Sequence, residues 1–412
     1  MTADNYRGAL LGCRFAYAVQ AVGNNLIPIL LTVFSAIYDT TLAQLSAIVT
    51  INFAVQIPAD MLSVKICEKL GYRVSITIAQ LISLCGLIML GTLPLISGGN
   101  YAALVCSAAL VSVGGGLTEV IVSPLTDSIP SGISCKKLAM LQSSYCWASC
   151  AIIAITSLTV GAIGYNMWYI LPLALTALPI CNIVIFSVVK LPEVTKTPPP
   201  KEIKNWGSNP TFYILIAIMF CAGAAEVTMT QFSSLFAEQS LGLNKQLGDV
   251  LAPCAFAAAM GLGRIAVGVS KGQNADKLMT MAAASCSICY ITAAIIPLPA
   301  ISLCACALCG FTVSVMNPCA YALASEKLAG GSVLLFSILA IAADIGCTAG
   351  PALTGAITDA VSKFPKSVMT YLGLNAQTLA LRLGIAAGAI FPAILTVVCL
   401  ILKKSKNKTL LK

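Results

Sequence analysis

Apolar residues run along the chain in twelve long stretches, separated by short polar or Pro/Gly breaks. They lie near 8–34, 42–66, 75–97, 101–124, 138–162, 167–190, 211–238, 246–269, 277–296, 299–324, 333–357 and 379–402. A helix crosses the hydrocarbon core of a bilayer with about 20 mostly apolar residues, and these stretches have that length. Barrel strands would be shorter and would alternate apolar with polar positions, which these do not. The pattern predicts an all-α membrane protein with twelve transmembrane helices. One long polar interruption, "LPEVTKTPPPKEIKNWGSNP" at 191–210, separates the sixth stretch from the seventh. The expected organisation is a six-helix bundle over 1–190, a linker at 191–210, and a second six-helix bundle with a basic tail over 211–412.

Composition supports this reading and narrows the chemistry. Of 412 residues, 58% are hydrophobic and 9% charged, with a mean hydropathy of +0.92. Soluble domains carry about a quarter charged residues, so this chain has too few to cover soluble surfaces. There is no histidine, which excludes a His-ligated metal site and a catalytic His; no cofactor and no enzymatic role are expected. No Walker lysine motif is present, and the Gly-x-Gly runs have no strand–helix context for a nucleotide.

Basic residues report orientation, because cytoplasmic loops are enriched in Lys and Arg. With the N-terminus in the cytoplasm, nineteen of the 24 fall on that side. Both termini are therefore expected in the cytoplasm of a multi-pass protein of the cell membrane. The net charge of +9 is this topology signal rather than a nucleic-acid footprint. The first stretch is too long for a signal peptide, contains Arg14 and lacks a cleavage site. The sequon at 407–409 falls in the expected cytoplasmic tail and carries no weight. The eighteen cysteines lie mostly inside spans, where Cys packs as a small apolar residue. The spacings of Cys286/Cys289 and Cys304/Cys306/Cys309 are metal-like, but no acidic or His partner is near in sequence. Packing is the expected role, and no disulfide is expected.

The two halves echo each other. Span four reads "GGGLTEVIVSPL" and span ten "CGFTVSVMNPCA", each with a small polar residue before a proline, Ser123–Pro124 and Asn317–Pro318. Span one has "VGNNLIPILLTVF" where span seven has "AGAAEVTMTQFSSLF". Such weak internal repetition marks transporters built from repeats.

The layout resembles the major facilitator superfamily. Its charged signature between spans two and three is matched in part by "EKLGYR" at 68–73, with Glu68, Gly71 and Arg73, and the second half keeps "GRIAVG" at 263–268. Within the superfamily the chain is similar to the fucose–proton symporter-like branch. That similarity rests on "GGLTEVIVSPL", "LQSSYCWAS", "FAEQSLGLNKQLGDVLAPCAFAAAMGLGRI" and "AADIGCTAGPALTG". The resemblance implies a facilitator fold and solute transport by alternating access. Members that carry fucose have a pair of acidic residues. Here the span-four acid matches Glu119, whereas the span-one position, a few residues past Asn24 and Asn25, is Pro28.

Charges inside apolar spans cost several kcal/mol unless paired or lining water, so each is a functional candidate. Arg14 and Glu119 lie at similar depths, roughly 9 and 8 Å into their spans at 1.5 Å per residue. They are expected to form an ion pair or share an aqueous pocket, either coupling proton uptake to conformational change or simply stapling two spans. Glu226 in span seven precedes Thr228, Thr230, Gln231, Ser233 and Ser234. That run either faces a cavity or bonds to neighbouring helices; the cavity reading makes Glu226 and Gln231 substrate ligands. Gln20, Asn24 and Asn25, with Gln142, Tyr145 and Trp147, and with Asn317 and Tyr321, complete the expected binding set. Amides, hydroxyls and aromatic faces suit a polyhydroxylated neutral solute. Arg264 and Asp344 are expected to form a structural or gating pair, and Glu68 and Arg73 to act as further gating charges. Glycines at 114–116, at 261, 263 and 268, and at 346, 350 and 355 are expected to let helices approach closely.

The chain is thus expected to be a secondary active transporter that moves a small neutral polar solute, a monosaccharide first, together with a proton through Glu119. It is expected to work as a monomer in the lipid bilayer, without a nucleic-acid partner. An exporter of amphipathic compounds on the same fold, and a solute receptor that does not transport, are the alternatives.

Overall fold

A computed structural model describes the chain except for residues 1–5, 39, 41, 131–133, 195–202, 204–205, 242–244, 270–274, 297, 329–331, 363–375 and 411–412. Half of the expected linker, 195–202 and 204–205, lies outside the described residues. Among those described there is no strand. The helices are α1 (Arg7–Ile37), α2 (Leu42–Ile96), α3 (Tyr101–Ser128), α4 (Ser134–Ile163), α5 (Ile170–Leu175), α6 (Ala177–Val188), α7 (Pro210–Leu241), α8 (Lys245–Val269), α9 (Ala275–Ile295), α10 (Pro299–Val313), α11 (Met316–Lys327), α12 (Val333–Ser362), α13 (Ala376–Gly388) and α14 (Ile390–Leu410).

Eleven helical runs are long and apolar enough to cross a membrane. One of them, Ala47–Ile96, has 50 residues, roughly 75 Å of helix, more than twice the hydrocarbon thickness. It is two helices meeting at Gly71, whose φ of 79° and ψ of 170° suit glycine, which has no Cβ to clash. The described chain therefore makes twelve crossings. The stretches expected at 42–66 and 75–97 are the two arms of α2. Those at 167–190, 299–324 and 379–402 are broken spans, built as α5–α6, α10–α11 and α13–α14.

Arg73, just past that turn, donates from Nη1 to the carbonyl oxygens of Phe186 (2.6 Å) and Ser187, and from Nη2 to that of Val189 (2.7 Å). These are among the carbonyls that the last turn of α6 leaves without an intrahelical donor, and a cation there also opposes the negative end of the helix dipole. Arg73, expected as a gating charge, is a helix cap in this structure, while Glu68 is exposed. Arg382 does the same for α9, donating to Ala294 (3.2 Å) and Ile296 (2.6 Å).

The chain packs as two compact units, one of Met1–Asn209 with Tyr321–Ile341, the other of Pro210–Ala320 with Ala342–Lys412. In the first, α1 buries Val22, Leu26, Ile27, Leu30 and Phe34 against Leu87 and Leu90 of α2, Leu104 and Ala108 of α3, Ile152 of α4, and Trp168. The Phe34 and Trp168 rings meet edge to face at 5.0 Å. The Asn182 amide of α6 donates to the Gly12 carbonyl of α1 at 3.0 Å. The segment Tyr321–Ile341 joins this unit through polar contacts: Ser325 donates to the Asp127 carboxylate at 2.6 Å and Ser337 to the Asp60 carbonyl at 2.9 Å.

In the second unit α7 and α12 touch backbone to backbone. A Cβ added at Gly346 would lie 2.0 Å from the Phe220 carbonyl oxygen, and one at Gly350 2.6 Å from that of Ala224. Gly355 has no such role, since its nearest neighbour would be 4.0 Å away. Cys286 of α9 and Cys309 of α10, both fully buried, bring their sulfurs to 3.5 Å, and all eighteen cysteines are free thiols. Leu158, Ile295 and Val269, each about 70% exposed on the isolated chain, turn outward where lipid would cover them.

Gly346→Leu should lower the melting temperature of the purified protein, because overpacking of this kind costs about 1–3 kcal/mol or more. Gly355→Ala should leave it unchanged or raise it slightly, since alanine is the better helix former; an equal fall for both variants in a thermal unfolding assay would count against the α7–α12 contact.

Candidate functional site

In the first unit, polar residues at helical spacing converge from four helices. On α1, Tyr17, Gln20 and Asn24 fall three and four residues apart, so they share one stripe. On α3, Glu119 and Ser123 are one turn apart, and on α4 Gln142, Tyr145 and Ser149 share a face. The Tyr17 hydroxyl and Ser123 hydroxyl are hydrogen-bonded at 2.7 Å. The Gln20 amide donates to the Glu119 carboxylate. Asn24 donates to the Tyr145 hydroxyl at 3.3 Å, and Asn25 to the Ser149 hydroxyl at 3.0 Å. From α2, Gln56 donates to the Asn24 side-chain oxygen at 3.2 Å. Pro28 has no N–H for the Asn24 carbonyl one turn before it.

Two expected members are absent from this cluster. Arg14 is exposed, and among the described residues no ion pair joins it to Glu119. It stands six residues before Gln20, about 120° away around the helix axis, so Gln20 reaches the carboxylate instead. Trp147 is 41% exposed; two residues from Tyr145, it points about 200° away and leaves the polar face of α4. Gln142 is buried on that face.

Sequence reasoning passed over Gln56, Tyr17, Ser123 and Ser149. A readable signal existed for Gln56, because Asn52, Gln56 and Asp60 recur every four residues in an apolar span and all three are buried.

In the second unit a smaller cluster centres on Glu226. Arg264 Nη2 lies 3.8 Å from Glu226 Oε2, with the side chains 4% and 17% exposed respectively. Asn317 Nδ2 lies 3.5 Å from the same oxygen. The position of Arg264 follows from two local features. Gly263 lets α8 approach span ten so closely that a Cβ there would lie 2.2 Å from the Ser314 hydroxyl oxygen. Pro318 lacks the N–H that would have bonded the Ser314 carbonyl, and Arg264 Nε donates to that carbonyl at 3.4 Å. The polar residue before each repeated proline thus enters a cluster, Ser123 in the first unit and Asn317 in the second.

Other expected members of this group are placed differently. Arg264, expected to pair with Asp344, forms an ion pair with Glu226, and Asp344 is buried on α12. Thr230 donates to the Glu226 carbonyl at 2.8 Å and Ser233 to that of Thr230 at 2.9 Å, so these hydroxyls serve their own helix. Thr228 is fully buried, and the Ser234 side chain lies outside those described. Gln231 is exposed, five residues and about 140° from Glu226. Tyr321 is buried in the first unit, stacked on Phe336 with ring centroids 4.8 Å apart.

Twelve membrane crossings with an intramembrane polar cluster in each of two units are the architecture of a solute transporter. The sequence model of the Major Facilitator Superfamily matches residues 14–351, and the chain belongs to that family; it is a multi-pass membrane transporter and not an enzyme. Its fold is similar to that of the Escherichia coli fucose:proton symporter FucP, at 16% identity and a TM-score of 0.71 over 95% of this chain and 99% of that one. It is also similar to the proton:xylose symporter XylE, at 12% identity and 0.73 over 96% and 97%. A bacterial homologue of the lysosomal transporter Spinster gives 15% identity and 0.63 over 98% of each chain. No curated protein matches the chain in sequence. At these identities the likeness is one of fold.

The Glu226–Arg264 pair can be weighed by a double-mutant cycle. Glu226→Gln, Arg264→Gln and the double variant should give a coupling of about 1–3 kcal/mol in denaturant unfolding, as for residues within one network. Strict additivity would remove the pair from the stability of the second unit.

Proposed function

We propose that this chain is a proton-coupled secondary transporter of a small neutral polyhydroxylated solute, a monosaccharide, working by alternating access between two six-helix halves. The contact between Gln20 and Glu119, set among the amides and hydroxyls of Asn24, Asn25, Gln56, Tyr145 and Ser149, carries the reading. These groups supply donors and acceptors together, as hydroxyl recognition requires, on a membrane-spanning background where unpaired polar groups are costly. FucP and XylE, whose fold this chain shares, are described as sugar:proton symporters.

Glu119 is the proton carrier in this proposal. As a carboxylate it only accepts hydrogen bonds; protonated, it gains an O–H donor. Gaining or losing the proton therefore changes what Gln20 can offer it and repolarises the contact between α1 and α3. Arg14 takes no part in that contact in this structure. An inward proton is driven by about 2.3 kcal/mol per 100 mV of membrane potential, enough to accumulate a neutral solute. Glu226, Arg264 and Asn317 supply a second set of groups for hydroxyls, with the Arg264 charge balanced by Glu226. The proposal places both termini in the cytoplasm, the protein in the cell membrane, and a monomer as the working unit.

In proteoliposomes, an inward proton gradient should drive uptake of a monosaccharide from a radiolabelled panel. Glu119→Gln should abolish that gradient-driven accumulation while sugar exchange at equal pH stays within about twofold of wild type. Full gradient-driven uptake by the variant would overturn Glu119 as carrier, and wild-type indifference to every sugar would overturn the solute class.

A further inference from the structure

The polar chain in the first unit leaves a defined remainder of hydrogen-bonding capacity. Gln56 is 2% exposed and spends an N–H on the Asn24 oxygen at 3.2 Å. An amide has two N–H donors on one side and a carbonyl acceptor on the other. With its oxygen held towards α2, the Asn24 amide must turn its nitrogen away, and that nitrogen donates to the Tyr145 hydroxyl of α4 at 3.3 Å. One N–H of Asn24 is left over.

Asn25 is committed in the opposite sense. Its nitrogen donates both to the Ala21 carbonyl at 2.9 Å and to the Ser149 hydroxyl at 3.0 Å. Both N–H groups are used, so the remaining capacity of Asn25 is on its oxygen. Asn24 and Asn25 are each partly exposed, whereas Gln56 is enclosed. Two successive residues of α1 thus keep one donor and one acceptor.

We propose that Gln56 is a positioning residue for solute recognition: it fixes the Asn24 amide so that Asn24 and Asn25 offer a donor beside an acceptor, matched to a vicinal diol. In such a diol one hydroxyl oxygen accepts from Asn24 while its neighbour donates to Asn25. This assignment rests on the reading of the chain as a carrier of polyhydroxylated solutes. Without Gln56 the Asn24 amide is free to rotate by half a turn, because the Tyr145 hydroxyl can donate to an oxygen as readily as it accepts from a nitrogen. The rotated amide would show the diol two acceptors and no donor. Gln56 has the reach for this role because α2 and α3 pack tightly at its level; a Cβ on Gly116 would lie 3.3 Å from the Gln56 Cβ.

The test is equilibrium exchange by the full-length protein in proteoliposomes, using radiolabelled xylose, fucose and further pentoses and hexoses, with analogues lacking one hydroxyl of a vicinal pair. Gln56→Met keeps length and volume but removes the amide. For the sugar that wild type carries best, it should raise KM tenfold or more and leave the maximal rate within about twofold. It should also narrow the gap in KM between that sugar and its deoxy analogue. A KM within twofold of wild type, or a lost maximal rate with unchanged KM, would overturn the assignment, the latter marking Gln56 as merely structural. If Gln56→Met is not monodisperse, Gln56→Asn, whose shorter amide falls short of Asn24, is judged by the same criteria. Wild type carrying no sugar of the panel would sink the solute reading and this assignment together, and that outcome is read from wild type alone.

Discussion

In a hydrocarbon solvent no water rescues an unpaired N–H or C=O, so each must find a partner within the protein. Both polar clusters of this chain depend on that constraint. In the second unit Pro318 withholds an N–H, the Ser314 carbonyl is left to accept elsewhere, and Arg264 supplies the donor. The guanidinium so anchored is the one that meets Glu226, beside Asn317. A buried arginine with a single partner would be a liability, because desolvation can exceed the Coulombic gain. Holding it by a backbone carbonyl as well as a carboxylate spreads that cost. The same constraint turns Thr230 and Ser233 back onto their own helix, while Arg73 and Arg382 cap the ends of α6 and α9.

The first unit meets the constraint differently, with neutral groups. Amides and hydroxyls from α1, α2, α3 and α4 bond one another in short chains, and Glu119 enters through Gln20. Neutral amides are cheaper to bury than charges and give direction to each bond. A lattice of this kind does two things at once. It fixes the helices laterally, and it leaves a few donors and acceptors whose orientation is set by those already paired. One charged unit and one mostly neutral unit, built on repeats that share a pre-proline polar residue in spans four and ten, give the two halves distinct chemistry within one plan.

The twelve crossings were legible because length and hydropathy decide a membrane span without any knowledge of its neighbours. The merging of two of them into α2 was not, since it depends on the backbone at Gly71. Gln20, Asn24, Asn25, Tyr145 and Glu226 were legible as polar exceptions in apolar runs. Which of them meet was harder to read. Arg14 and Glu119 share a depth, but depth alone ignores the 120° that separates Arg14 from Gln20. Trp147 was drawn in by its chemistry and excluded by its phase on α4. The pairing of Arg264 with Glu226 was not read from the sequence, because the placing of Arg264 involves Gly263 and Pro318, neither of which carries a polar side chain. Gln56 went unremarked, although its four-residue spacing with Asn52 and Asp60 marked a face.

Pro318 has a consequence for how this protein can change over time. Any other residue there would return an N–H that shares the Ser314 carbonyl with Arg264. A later loss of Arg264 would in turn leave that carbonyl bare if the proline stayed. The two positions, on different helices and fifty-four residues apart in the chain, are thus linked through one carbonyl. The acid–base character of the second unit is heritable through an imino acid that has no charge and no hydrogen to give.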